Sequence, residues 1–78
     1  MPAYHQNDPA YGDYVYGAAF SDALTMVACG EERDYARNAL IEGYSTLEPD
    51  DIADVLADAL HEALLSGVER EDIDESWF

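Results

Sequence analysis

Apolar positions in the C-terminal half of the chain recur at steps of three and four. In the stretch Leu47 to Gly67, LEPDDIADVLADALHEALLSG, the residues Ile52, Val55, Leu56, Ala59, Leu60, Ala63 and Leu64 fall on one side of a helix. That is the period of an amphipathic helix with one buried face. Its start is marked by Glu48 as N-cap, Pro49 at the first helical position, and Asp50 and Asp51 in the first turn, where the helix dipole favours negative charge. Leu47 and Ile52 occupy the two positions of a hydrophobic staple. Gly67 supplies the left-handed residue that closes the helix, with Val68 placed for the accompanying apolar contact.

A second pattern runs from Asp13 to Cys29. Tyr16, Phe20, Ala23, Leu24 and Val27 share a face, and Val15, Ala18, Ala19 and Met26 widen it, with Asp22 the only charge inside. A segment apolar nearly all round is expected to be the central helix, ended by Gly30. Asn7-Asp8-Pro9 offers an earlier start, with Pro9 at the first helical position. Gly17 and Ser21 could let another backbone come close, read as core packing in preference to a dedicated dimer seam. A further helix is predicted from Glu31 to Glu42 or Tyr44, with Tyr35, Ala36, Ala39, Leu40 and Tyr44 inward. Tyr16 and Tyr35 are expected in the core, Tyr4 and Tyr11 at the surface. Residues 1–8 read as a flexible polar lead-in. Residues 68–78 form an acidic tail that folds back through Ile73, Trp77 and Phe78, with a short helix from Arg70 to Trp77. No strand, repeat or linker is evident, so the expected fold is all-α: one domain over residues 1–78, a small three- or four-helix bundle.

Composition changes this picture in one respect. Seventy-eight residues lie near the lower end of what a single core supports, and an apolar content of 49% allows folding. Against eighteen acids stand only Arg33, Arg37 and Arg70, with no lysine, for a net charge of −15. A small domain needs a net charge of only ~2–8 for solubility. A sphere of this length would be ~30 Å across, and duplex DNA packs fifteen charges into ~25 Å of axis, so the two densities are comparable. The same field excludes direct binding to nucleic acid or to an anionic membrane. One cysteine, Cys29, precludes an internal disulfide and suits a reducing compartment, where a buried structural thiol is expected. The N-terminus lacks the pattern of a signal peptide, and the apolar run Tyr14 to Cys29 is too short to span a bilayer. A soluble, cytoplasmic protein is expected.

The polar side of the third predicted helix carries Asp51, Asp54, Asp58 and Glu62, again at steps of three and four. At about 1.5 Å rise per residue this is a row of carboxylates every ~5–6 Å. Like charges so placed cost a few tenths of a kcal/mol per pair, and Asp58 and Glu62 also oppose the dipole. Solubility alone would have been met more cheaply by interspersed lysine. The row is therefore assigned to partner binding, with Asp50 and the tail acids Glu69, Glu71, Asp72, Asp74 and Glu75 adding to its field.

Chemistry is harder to find. His61 lies in HEALL, which lacks the second histidine of a zinc helix, and no paired ExxH suggests a di-iron site. His5 and Cys29 have no neighbour arguing for nucleophilic catalysis, and no glycine-rich phosphate loop is present. No catalytic, cofactor or metal site is expected, and the chain does not read as an enzyme. An acyl carrier of this size would need a serine directly after aspartate at a helix start. Here Ser21 precedes Asp22, Ser45 precedes Thr46 and Ser66 precedes Gly67.

In size, charge and helical character, over its whole length, the chain resembles the small acidic phage-encoded anti-CRISPR proteins of the DNA-mimic kind that act on type I (Cascade) complexes. It shares no motif with them. The resemblance implies binding to a lysine- and arginine-lined DNA channel, which keeps target DNA out, in the host cytoplasm if the chain is phage-encoded; a monomer is favoured over a dimer, with the oligomeric state left open. Two other readings stay open from the residues. One is an immunity protein or antitoxin neutralising a basic nuclease. The other is an ordinary halophile-type domain, whose acidity would be scattered over every face.

Overall fold

A computed structural model describes residues 9–78, with side chains from residue 14 onward. The lead-in over residues 1–8 and the placement of Tyr4 and Tyr11 lie outside the described residues. The elements are α1 (Pro9–Ala28), α2 (Arg33–Gly43) and α3 (Pro49–Leu65), followed by two single 3-10 turns at Arg70–Asp72 and Glu75–Trp77. The fold is a small all-α, three-helix bundle. No helix among the described residues is long and apolar enough to cross a membrane.

Chain direction follows from three contacts. Tyr16, in the first half of α1, meets Asp58 of α3, and Asp22 meets Tyr44 just past α2. After α3 the chain returns to the far end of α1, where the carbonyl of Asp72 lies 3.5 Å from the Cβ position of Gly30. The seven residues from Leu65 to Asp72 reach at most about 25 Å, short of the ~30 Å that α1 spans. So α3 runs alongside α1 in the same sense, with α2 running the opposite way and packed against both.

Both long helices end on the same device. Past α1, Glu31 N donates to Met26 O (3.0 Å) and Gly30 N to Val27 O (3.1 Å). Past α3, Val68 N donates to Ala63 O (3.0 Å) and Gly67 N to Leu64 O (3.4 Å). These paired bonds satisfy carbonyls that a helix end would otherwise leave orphaned, and they require a left-handed residue. Gly30 and Gly67 supply it, at φ +80° and +101°. At its other end α3 starts on a reciprocal capping box between Glu48 and Asp51, with Pro49 leading the first turn. Ile52 is buried and Leu47 partly so, as the staple requires.

The core joins Ala19, Ala23 and Val27 of α1 to Ala36 and Leu40 of α2 and to Ile52, Val55, Leu56, Ala59 and Ala63 of α3. Ile73 and Trp77 of the tail close it. α1 and α3 each contribute an alanine pair four residues apart, and all four alanines are fully buried. Short side chains at that spacing let two helix axes approach closely.

Several expectations change. α1 is already helical at Pro9, the first described residue, ahead of the expected start at Asp13. The tail forms two 3-10 turns rather than one helix, since Ile73 between them is extended (φ −95°, ψ 132°). Leu64 and Tyr35 are 40% and 58% exposed. Each stands beside a buried stripe (Ala59 and Ala63, Ala36 and Leu40) that already fills the available contact, and a bundle this small has no outer layer to cover the rest. Gly17 and Ser21 are likewise on the solvent side of α1, and Cys29, beyond the last buried turn, is exposed. Phe78 is half exposed; the Arg70 guanidinium lies 4.0 Å from its ring centroid. The molecule is elongated, 41 × 22 × 17 Å with a radius of gyration of 13.1 Å. Spread along that axis, the net charge amounts to about one per ~3 Å, sparser than duplex DNA at one per ~1.7 Å.

Two glycine substitutions should move stability in opposite directions. Nothing lies within 4 Å of a Cβ at either Gly67 or Gly17, but only Gly67 has positive φ. Gly67→Ala is expected to lower unfolding free energy by about 1–2 kcal/mol through backbone strain alone. Gly17→Ala, inside an exposed helical turn, should raise it by roughly 0.5–1 kcal/mol. Urea midpoints at constant slope measure both.

Candidate functional site

The row on α3 is exposed at Asp54, Asp58 and Glu62 and partly buried at Asp51. Asp51 serves the helix itself: its Oδ2 accepts from the Glu48 N–H at 3.3 Å. Asp58 Oδ2 accepts from the Tyr16 hydroxyl at 2.9 Å, across to α1. The row thus lies along the flank of α3 that borders α1. Tyr16 registers this field. Its phenol is pushed up to about 12, first by burial, then by the bond to Asp58, then by the charges of Asp58, Asp54 and Asp51. Three of the four row carboxylates therefore act on one hydroxyl from one side. Asp50, at the head of the row, is exposed.

A second tyrosine makes the same kind of bond elsewhere. The Tyr44 hydroxyl donates to Asp22 Oδ2, tying the end of α2 to the one charge inside the apolar stretch of α1. That bond, then burial, then the charge on Asp22 and the neighbouring Tyr14, push the Tyr44 phenol up to about 12.

The predicted tail acids do not join the row. Trp77 Nε1 donates to Glu31 O at 2.8 Å, and Arg33 N donates to Ser76 Oγ at 2.8 Å. These bonds hold the tail against the corner between α1 and α2. Glu69, Glu71, Asp72, Asp74 and Glu75 consequently gather near Glu31, Glu32 and Asp34, which sequence reasoning did not assign to any site. The head of the row, by contrast, lies at the opposite end of α3, ~21 Å away along the helix. The ten predicted residues divide into a row, led by Asp50, and an acidic pole. Asp74 has a local duty there: its carboxylate accepts from Ser76 N at 2.9 Å, and that bonding holds its pKa below the usual range.

Two further features escaped sequence reasoning. Leu65, three residues after Glu62 and so next in the row, is 69% exposed, giving the acidic flank an apolar end. The tail also bounds an open depression of about 550 Å³ between Arg70, Glu71, Ile73, Asp74, Glu75 and Phe78. Leu65 belongs to neither the apolar set nor the acidic row read from the sequence, although the step of three from Glu62 places it on the row's side of α3. The depression depends on how the tail folds, for which no local signal exists. Among the described residues no group of three His, Cys, Asp or Glu side chains could hold a metal ion. His61 is a solvent-facing residue of α3.

No protein-family model, curated protein or solved structure matches the chain.

The two tyrosine–aspartate bonds set an alkaline limit. Tyr16 and Tyr44 are neutral donors, and their folded pKa values of about 12 exceed the unfolded value near 10. Their stabilisation is complete below pH ~10 and disappears as pH rises through about 12. An ultraviolet titration of the folded protein should show two late-ionising phenols. Tyr16→Phe and Tyr44→Phe should each remove one, and each should cost roughly 0.5–1 kcal/mol at neutral pH, the net worth of one hydrogen bond to a carboxylate that water can re-solvate.

Proposed function

We propose that this protein is a non-enzymatic inhibitor of the DNA-mimicking anti-CRISPR kind. It docks the acidic flank of α3 onto the basic nucleic-acid-binding surface of a target complex, a type I CRISPR effector by resemblance, and prevents DNA from binding. One observation carries the reading: Asp54, Asp58 and Glu62 stand exposed along one flank of α3, and Asp58 accepts from Tyr16 across to α1. The three arginines are elsewhere, two on α2 and one in the tail. Acidity serving only to hold a hydration shell would not need four carboxylates aligned on one flank of α3, which disfavours the halophile-type reading. Successive row carboxylates stand about 5–6 Å apart, wider than the ~3.4 Å phosphate step of one DNA strand. A positive channel would therefore meet the row with some of its cations and have others free for the acidic pole.

Association should be fast and should weaken as salt rises, because exposed charges dominate it. The variant Asp54→Asn, Asp58→Asn, Glu62→Gln tests the row directly. Asp51 is retained because it caps α3, and an asparagine at 58 can still accept from Tyr16. Binding to a purified type I effector, measured by competition with its target DNA, should fall by roughly 30- to 1,000-fold, or ~2–4 kcal/mol. The urea midpoint should hold or rise as row repulsion is relieved. Undiminished competition by a folded variant would reduce the row to a solvated face.

A further inference from the structure

The tail has the construction of a strap held shut against its own charge. Its two 3-10 turns are three residues each, too short to persist alone, since short helical segments are unstable without tertiary packing. Two side chains anchor it, Ile73 at 5% exposure and Trp77 at 6%. The bonds from Trp77 Nε1 to Glu31 O and from Arg33 N to Ser76 Oγ complete the attachment. The second bond matters to α2, whose N-cap Glu32 makes no side-chain capping bond. A first-turn N–H of that helix is satisfied instead by a serine 43 residues away. Opposing these contacts is charge. Five tail acids, Glu69, Glu71, Asp72, Asp74 and Glu75, less Arg70 leave the strap at −4. Three corner acids, Glu31, Glu32 and Asp34, less Arg33 leave its seat at −2.

We propose that residues 69–78 form a counterion-gated strap. It lies closed over the corner between α1 and α2 when the surrounding ions screen those charges, and it opens at low ionic strength while the three helices stay folded. The sign is the reverse of that expected for docking onto a basic partner, which salt weakens. The physical basis is range: the Debye length is about 30 Å at 10 mM salt, so the whole strap repels its seat, and well under 10 Å at 0.5 M, so only touching groups do. Burial of Ile73 and Trp77 is hardly altered across that range, so the change in the closed-to-open ratio with salt comes from the electrostatic part. Opening would also leave the start of α2 without its donated cap, so the first turn of α2 should loosen with the strap.

Trp77 is the only tryptophan in the chain and reports closure in the unmodified protein. Its fluorescence and its quenching by acrylamide would be followed beside helical circular dichroism, in sodium fluoride from about 10 mM to about 0.5 M. The closed-to-open ratio is expected to rise about tenfold across the range, for ~8 like-charge pair interactions being screened. Trp77 should become blue-shifted and protected while the helical signal changes little. Glu71→Gln, Asp72→Asn, Glu75→Gln, which leaves Asp74 to hold the final turn, should be closed already at the lowest salt. Three results would overturn the proposal: Trp77 accessibility independent of salt, tryptophan and helical signals moving in one transition, or a neutralised variant keeping the parent's full salt response. None of these measurements involves a partner, so they stand or fall separately from the inhibitor reading.

Discussion

Eighteen acids share three arginines in this chain, so most carboxylates that need a partner must find a hydrogen-bond donor that brings no positive charge. The fold supplies such donors at structural points. Asp58 receives the Tyr16 hydroxyl and Asp22 receives that of Tyr44. Asp51 takes the Glu48 N–H, and Asp74 takes the N–H of Ser76. Hydrogen bonds to an ionised acceptor are about twice as strong as neutral ones. A lysine in any of these places would have held the acid as well, but it would have cancelled the field. Neutral donors hold the carboxylate and leave its charge intact. This gives a physical role to two of the six tyrosines, which composition alone marks only as unusual.

That constraint also shapes the packing. A phenol on α1 can reach a carboxylate on α3 only if the helices lie close, and the buried alanines Ala19, Ala23, Ala59 and Ala63 keep the seam thin. The long side chains, Tyr16 and Phe20 among them, are displaced to the margins, where they are partly buried against the core. In a larger protein such an alanine seam would be backed by further layers. Here little stands behind it, so residues such as Tyr35 and Leu64 face water despite their place in an apolar pattern.

The limits of α3 were legible in the sequence because every signal for them is local. Glu48, Pro49 and Asp51 define its start within four residues, and Gly67 with Val68 its end, and each acts as those residue types ordinarily do. The all-α class followed from period alone. What could not be read depends on contacts distant in the chain. Tyr16 and Asp58 are 42 residues apart and Tyr44 and Asp22 are 22 apart, with no pattern linking either pair. The division of the acids into row and pole was hidden for the same reason. It rests on Trp77 reaching a backbone carbonyl 46 residues away, and a hydrophobic residue in a tail says that it will be buried without saying where. Tyr35 and Leu64 mark a different limit. Periodicity identifies the apolar arc of a helix, but how much of that arc is covered depends on the number of neighbours.

The row and the pole differ in how firmly they are held, and that difference bears on what each can contribute to binding. Asp51 is held by its cap and Asp58 by a phenol, both on a regular helix of 17 residues, so these two carboxylates keep their spacing in the free protein. A partner that meets them has little side-chain freedom to immobilise, and the entropic cost of docking is correspondingly small. The pole sits on turns anchored by two buried side chains and gains order only from its seat. Its charge can strengthen the long-range field that draws a basic surface in, an effect that needs no fixed geometry. On the proposed reading, register along a channel, which does need fixed geometry, would fall to α3, and the exposed Leu65 at the end of its row would add a shape that a uniform line of charge would lack.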